Sequence, residues 1–145
     1  DKADYFVPSV SDPVTGYWGK PKDAKALVRG RFLRLHAYTW DSRFESVQAW
    51  NLWEHLPALD KVINVASGLD DPATAECRLP LLHEHIRIKE PEEFYQRVEV
   101  FHPSVKSFRF YKNGRFEIEF KTEDQAARVA ELLLGKSENL EVPAH

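Results

Sequence analysis

The sequence predicts an α+β protein: a two-layer βαββαβ plate, preceded by an extended N-terminal arm and an additional strand–helix segment. Three observations carry this expectation. "VKSFRFYKNGRFEIEF", residues 105–120, alternates apolar and polar residues on both sides of a Lys-Asn-Gly loop, as a β-hairpin does. "TEDQAARVAELLLG", residues 122–135, opens on a Thr122–Gln125 capping box and closes on Gly135, the two ends of an amphipathic helix. Upstream, "HEHIRIK" (83–89) reads as a strand and "PEEFYQRVEVF" (91–101) as a helix, while "NLEV" (139–142) supplies a last short strand.

Taken in order, the chain divides into an arm at 1–21, a helix–strand–helix segment at 22–81 and the βαββαβ module at 82–145. The arm contains "DYFVPSVSDPVTGYWGKP", in which Tyr5, Phe6, Tyr17 and Trp18 sit among Pro8, Pro13 and Pro21 with neither helical nor strand period. Asp12-Pro13 and Thr15-Gly16 mark turns within it. A short helix follows in "PKDAKALVRG", with Pro21 at its start and Gly30 past its end. "RFLRLHAYTW" (31–40) alternates strictly: Leu33, Leu35 and Ala37 point one way, and Phe32, Arg34, His36, Tyr38 and Trp40 the other. Asp41 or Ser42 can cap a helix over 43–56 that buries Phe44, Val47, Trp50, Trp53 and Leu56. Beyond Pro57, the spacing of Leu59, Val62, Ile63 and Ala66 predicts a second helix up to Gly68, with a strand at "KVINV" as the alternative. In the C-terminal hairpin a three-residue loop, with Gly114 left-handed, pairs Phe110 with Phe116, Phe108 with Ile118 and Lys106 with Phe120. That register gathers the large apolar side chains on one face and matches Arg109 with Glu117 on the other.

Length and composition limit the functional classes. The chain has 145 residues, 43% of them hydrophobic and 30% charged, which is ordinary for one folded domain with an arm. A formal net charge of −3 gives no bulk attraction to a phosphate backbone, so nucleic-acid binding would require a local basic patch. Cys77 is the one cysteine; it excludes an intrachain disulfide and a cysteine-built metal site. No apolar run approaches the roughly 20 residues of a membrane-spanning helix, so any membrane role is peripheral. Methionine is absent even at position 1, which fits a processed chain or a fragment and weighs towards a mitochondrial location.

At "NGRFEIEF" and "KTEDQAARVAELL" the chain resembles the third strand and second helix of an RNA-recognition motif, a ferredoxin-like βαββαβ module, over residues 82–142. The resemblance implies outward aromatics on that strand that stack on bases. The matching positions here are Arg115 and Glu117, and the first-strand positions are His85 and Arg87; Glu117 and Glu119 would repel phosphates. The arm segment "VSDPVTGYWGKP" is also similar to the DPxTGYY ending of mitochondrial late-embryogenesis-abundant proteins, matching at Asp12, Pro13, Thr15, Gly16, Tyr17 and Pro21. That similarity implies no activity.

No catalytic signature is present. His83 and His85 put two imidazoles on one strand face, but two ligands do not make a metal site, and the other histidines lack ligand spacing. There is no G-x-S-x-G and no phosphate loop, and Glu92-Glu93 and Asp70-Asp71 stand where helix starts account for them. No catalytic residue, metal or cofactor is therefore expected. Tyr5, Phe6, Tyr17 and Trp18 are expected to dock on a partner, or partly on their own domain, in two aromatic pairs. The alternating set Phe32, Arg34, His36, Tyr38 and Trp40 is a candidate aromatic–basic contact face, unless a helix or the arm covers it. These features suit a non-catalytic accessory subunit of a larger multiprotein assembly, peripheral to a mitochondrial respiratory-chain or ATP synthase complex or to a mitochondrial ribosome. Its expected partners are other protein subunits, with nucleic acid less favoured. An RNA-binding module is the first alternative. A dimeric α/β-barrel monooxygenase or cyclase, using His36 or His85, is the second.

Overall fold

Strict alternation at residues 32–36 and on either side of the Lys112–Gly114 loop builds an antiparallel sheet. The computed structural model describes residues 2–73 and 81–135. Its strands are β1 (Val10–Ser11), β2 (Trp18–Gly19), β3 (Val28–Arg29), β4 (Phe32–His36), β5 (Trp40–Asp41), β6 (Ser46–Val47), β7 (Val98–Glu99), β8 (Val105–Phe110) and β9 (Arg115–Phe120). The helices are α1 (Leu52–Ala66), α2 (Pro91–Phe94) and α3 (Glu123–Leu133), with 3-10 turns at Lys2–Phe6, Ala24–Leu27 and His83–Arg87. The main sheet runs β3-β4-β9-β8-β7, antiparallel throughout, while β1–β2 and β5–β6 are separate small hairpins. The protein is thus mixed α+β.

The period of two sorts each strand onto two faces. Leu33, Leu35, Phe108, Phe110, Phe116, Ile118 and Phe120 are buried on the inner face. Above them α1 and α3 pack against each other, contributing Leu52, Leu56, Leu59, Ile63, Ala126, Val129, Ala130 and Leu133 to one core. The α3 capping box is present as expected: the Gln125 N–H donates to Thr122 Oγ1 at 3.2 Å, and the Thr122 N–H to Gln125 Oε1 at 3.1 Å. Gly114, at φ 96°, closes the β8–β9 loop, and the Phe110–Phe116, Phe108–Ile118 and Arg109–Glu117 pairs form. Lys106 does not pair with Phe120. The ladder is irregular there, so Val105 opposes Phe120 inside the core and Lys106 stays in solvent.

Three predicted elements are corrected. Residues 83–87 form a 3-10 turn instead of a strand. The Leu82 N–H is held by the Asp60 carboxylate of α1 at 3.0 Å, and the place beside β9 is taken by β4. The helix expected over 91–101 stops after Phe94, and the chain turns back as β7 along β8, leaving Phe101 exposed. The helix expected over 43–56 begins only at Leu52. Asp41 accepts from the Arg43 N–H at 2.9 Å, a local turn in place of an N-cap, and Trp40 and Val47 pair across a hairpin. Phe44, Trp50 and Trp53 are consequently exposed instead of forming a buried stripe. From Leu52 the helix runs through Pro57, which lies on its solvent side, so the two predicted helices become one. The expected strand at 139–142 and Cys77 lie outside the described residues.

Candidate functional site

Two surfaces gather the residues that the sequence singled out. The first is the arm, whose two aromatic pairs behave differently. Phe6 is fully buried, with its ring 5.8 Å from that of Phe116. Tyr5 stacks on His55 of α1 at 4.1 Å, and its hydroxyl accepts a hydrogen bond from the Asn51 amide. Ala3 and Phe6 of the 3-10 turn therefore belong to the domain core, while Tyr5 lies against its surface.

Beyond Pro8 the arm folds on itself. Asp12 accepts from the Val14 N–H at 2.8 Å, and its own N–H donates to the Tyr17 carbonyl at 2.9 Å, making a tight β1–β2 hairpin with Gly16 at φ 75°. Lys20 ties the far end back through an ion pair with Asp4. Tyr17 and Trp18 are 78% and 72% exposed, and Val14 is 90% exposed. Together with Val10, Pro13 and Lys20 they line an open concavity of about 490 Å³. Within the described residues, then, one expected docking pair has its own domain as its partner, and the other faces outward.

The second surface is the outer face of the main sheet. Phe32, Arg34 and His36 are half-buried, with Pro8 of the arm and Ala26 bordering Arg34 and His36, and Tyr38 is largely exposed. At its centre Glu117 is 5% exposed. It accepts from Arg97 Nη2 at 3.1 Å and from the Tyr111 hydroxyl at 2.9 Å, with Arg115 and Arg34 at 3.6 and 3.7 Å. Glu119, 8% exposed, accepts from the Ser107 hydroxyl at 2.9 Å and pairs with Arg31 at 3.3 Å. Dehydrated carboxylates of this kind persist only where cations and donors surround them.

Several aromatic rings on and beside this face carry cations. The Arg97 guanidinium lies 5.6 Å from the Phe32 ring centre, Arg109 and Arg115 lie 4.4 and 5.0 Å from that of Tyr111, and Lys112 Nζ sits 4.0 Å from that of Trp40. His36 stacks on Tyr38 at 5.8 Å. Cation–π pairing thus engages Phe32, Tyr111 and Trp40, and Tyr38 stays exposed. Reasoning from sequence missed Arg97 and Arg31, which come from a β7 approach and a β3–β4 turn. Their signal was only their type, since their partners lie far along the chain.

The histidines proposed for chemistry have structural surroundings. His85 is buried against Phe94, Phe108 and Phe110 and bonds the Phe94 carbonyl at 2.7 Å; burial pushes its pKa down. His36 Nδ1 lies 3.3 Å from the Gly114 carbonyl, at the rim of an open groove shared with Arg34, Asn113 and Arg115. His102 bonds Asn64 Oδ1 at 2.8 Å, and its Nδ1 accepts from the Ser104 N–H at 3.1 Å. Burial, then the charge of Lys121, lowers its pKa. This Ser–His–Asn grouping lies inside the core, with Ser104 and Asn64 buried as well, so it joins α1 to β8 and offers nothing to a substrate. Among the described residues no group of three or more His, Cys, Asp or Glu side chains could hold a metal ion, and no helix is long and apolar enough to cross a membrane.

No protein-family model, curated protein or solved structure matches the chain.

Proposed function

We propose that this chain is a non-catalytic accessory subunit, which enters a larger protein assembly by docking its β1–β2 hairpin on a neighbouring subunit. The observation that carries this is the exposure of Tyr17 and Trp18 on a hairpin whose two ends are fixed to the domain by Phe6 and by the Lys20–Asp4 pair. Large aromatics in a preformed turn lose little conformational entropy on binding and are the residues most enriched at interface hot spots. A mitochondrial complex, joined peripherally, is the setting we favour. An RNA-binding role is the weaker reading because arginine and lysine lie against Phe32, Tyr111 and Trp40, which leaves Tyr38 as the exposed ring of the set.

We also read the plate as βαββαβ in type, with β4 and α1 in place of residues 83–101 as its first strand and helix. Its support is the position of β4 beside β9, with α1 and α3 packed together over the inner face. The test of function is copurification from native extract. A Tyr17→Ser/Trp18→Ser variant should fold as the parent does yet leave the high-mass fraction. Unchanged cofractionation of the variant, or a parent chain that runs alone, would refute the assignment.

A further inference from the structure

On the outer sheet face, between the β3–β4 turn and the segment entering β7, lies a groove of about 430 Å³. Arg29, Arg31, Arg34 and Arg97 line it, with Phe32 on its floor and Glu117 as its acid. Register explains the convergence. Arg29 opposes Phe32 across β3–β4 and Arg34 opposes Glu117 across β4–β9, so these side chains share the outer face, and Arg97 reaches over from before β7. We propose that this groove binds an aspartate- and glutamate-rich segment of a partner protein.

Charge is the first argument. Four guanidinium groups line the groove with Glu117, while Glu119 pairs with Arg31 and the Glu123 carboxylate lies beside Gly30 at its edge, so four cations face three acids and a cationic excess remains on a chain whose formal net charge is −3. Such a patch, set against low-dielectric walls, concentrates anions and steers their approach. Arg34 is only loosely held by the internal carboxylate: its buried Nε lies 3.7 Å from Glu117 without a hydrogen bond, while the side chain as a whole stays partly exposed. Chemistry supplies the second argument. Guanidinium forks match carboxylates in bidentate geometry, and the Arg31, Arg34 and Arg97 side chains keep 46%, 42% and 34% of their surface open to a ligand. The third argument separates an acidic peptide from single-stranded nucleic acid. A nucleic-acid site needs free aromatic faces for stacking; here Phe32 carries Arg97, and Tyr111 carries Arg109 and Arg115. A peptide needs only the charges. The groove stands independently of the hairpin reading, since Tyr17 and Trp18 do not line it.

The test is fluorescence anisotropy with the full chain and a labelled peptide of alternating glutamate and aspartate, at low and physiological salt. A single-stranded oligouridylate of equal charge forms a second arm. The peptide should bind at low salt and weaken by about tenfold on going to physiological salt, as a screened surface contact does. Arg29→Ala/Arg31→Ala should weaken it about fivefold or more, whereas Lys22→Ala/Lys25→Ala, the same charge change away from the groove, should cost less than about twofold. Glu117→Gln should tighten binding. Arg29→Ala alone, which touches neither internal carboxylate, repeats the test if the double variant melts early. No peptide binding at low salt, equal losses in the arginine and lysine variants, or tighter binding of the oligouridylate would each overturn the proposal.

Discussion

The two faces of the main sheet both hold buried side chains, but for opposite reasons. On the inner face Phe108, Phe110, Phe116, Ile118 and Phe120 exclude water by apolar packing, and Phe110 and Phe116 stack at 4.2 Å. On the outer face Glu117 and Glu119 are screened from water by arginines from β4, the β3–β4 turn and the approach to β7. Burial by itself therefore says little about how a position contributes. An inner residue acts through its own volume, whereas an outer residue acts through the charge it leaves behind when its partner is removed.

The largest expected effect is on the inner face. Phe116→Ala removes a fully buried ring that touches both Phe6 and Phe110 and should cost about 3–5 kcal/mol in chemical denaturation. A loss below about 1 kcal/mol would mean that the face can collapse around the gap, and the contrast between faces would be gone. On the outer face, Arg97→Ala should cost about 1–2 kcal/mol, because Glu117 keeps Arg34 and Arg115 while Ser107 loses its donor. Glu117→Gln in the Arg97→Ala background should recover part of that loss. A double-mutant cycle with no coupling would show that Glu117 is kept from water by shape instead of charge pairing.

The inner face was readable in the sequence because its determinants are local. The Lys-Asn-Gly loop sets the β8–β9 register, and the Thr122–Gln125 box starts α3. Of the strand expected over 31–40, residues 32–36 form as read, while Trp40 leaves for the β5–β6 hairpin; the place of β4 in the sheet was not readable, since only its pairing with β9 reveals it. The failures share a cause. "HEHIRIK" alternates like a strand, yet Asp60 of α1 and the carbonyl of Phe94 hold it as a turn with His85 inside the core. The helix expected at Asp41 yields to an Asx turn to Arg43, a competition between two uses of one carboxylate. The buried charges of the outer face were not readable, because Arg31, Arg34 and Arg97 meet Glu117 and Glu119 only after the sheet forms.

A graded effect should come from the core histidines. Burial lowers the folded pKa of His85 and of His102 below the unfolded value near 6.5, and Lys121 adds to the lowering at His102. Below that value the unfolded chain takes up protons that the folded chain refuses, so these groups favour unfolding as the pH falls. Their stabilising contribution is complete above about pH 6.5 and is lost as the pH drops through the folded values. The urea midpoint should therefore decline on acidification from neutral pH, and His102→Gln should flatten the decline. A midpoint that holds or rises between pH 7 and 5 would mean that charged imidazolium is tolerated on the inner side.

The smallest effect on stability belongs to the β1–β2 hairpin, which carries the contrast between faces into the arm. Phe6 belongs to the inner core, whereas Tyr17 and Trp18, twelve residues or fewer further on, cover no apolar surface that would miss them. Their hairpin is held by backbone bonds, by the Asp12 turn and by Gly16. Trp18→Ala should accordingly shift the unfolding free energy of the isolated chain by no more than about 0.5 kcal/mol, as for a surface substitution, while Phe6→Ala should cost about 3–5 kcal/mol. The corollary concerns truncation. Removing residues 1–20 takes Phe6 away with Trp18 and should unfold or severely destabilise the domain, whereas excising 10–19 alone should not. A Trp18→Ala loss above about 1 kcal/mol would place that ring against its own domain, and the hairpin would cease to be a surface held ready for another protein.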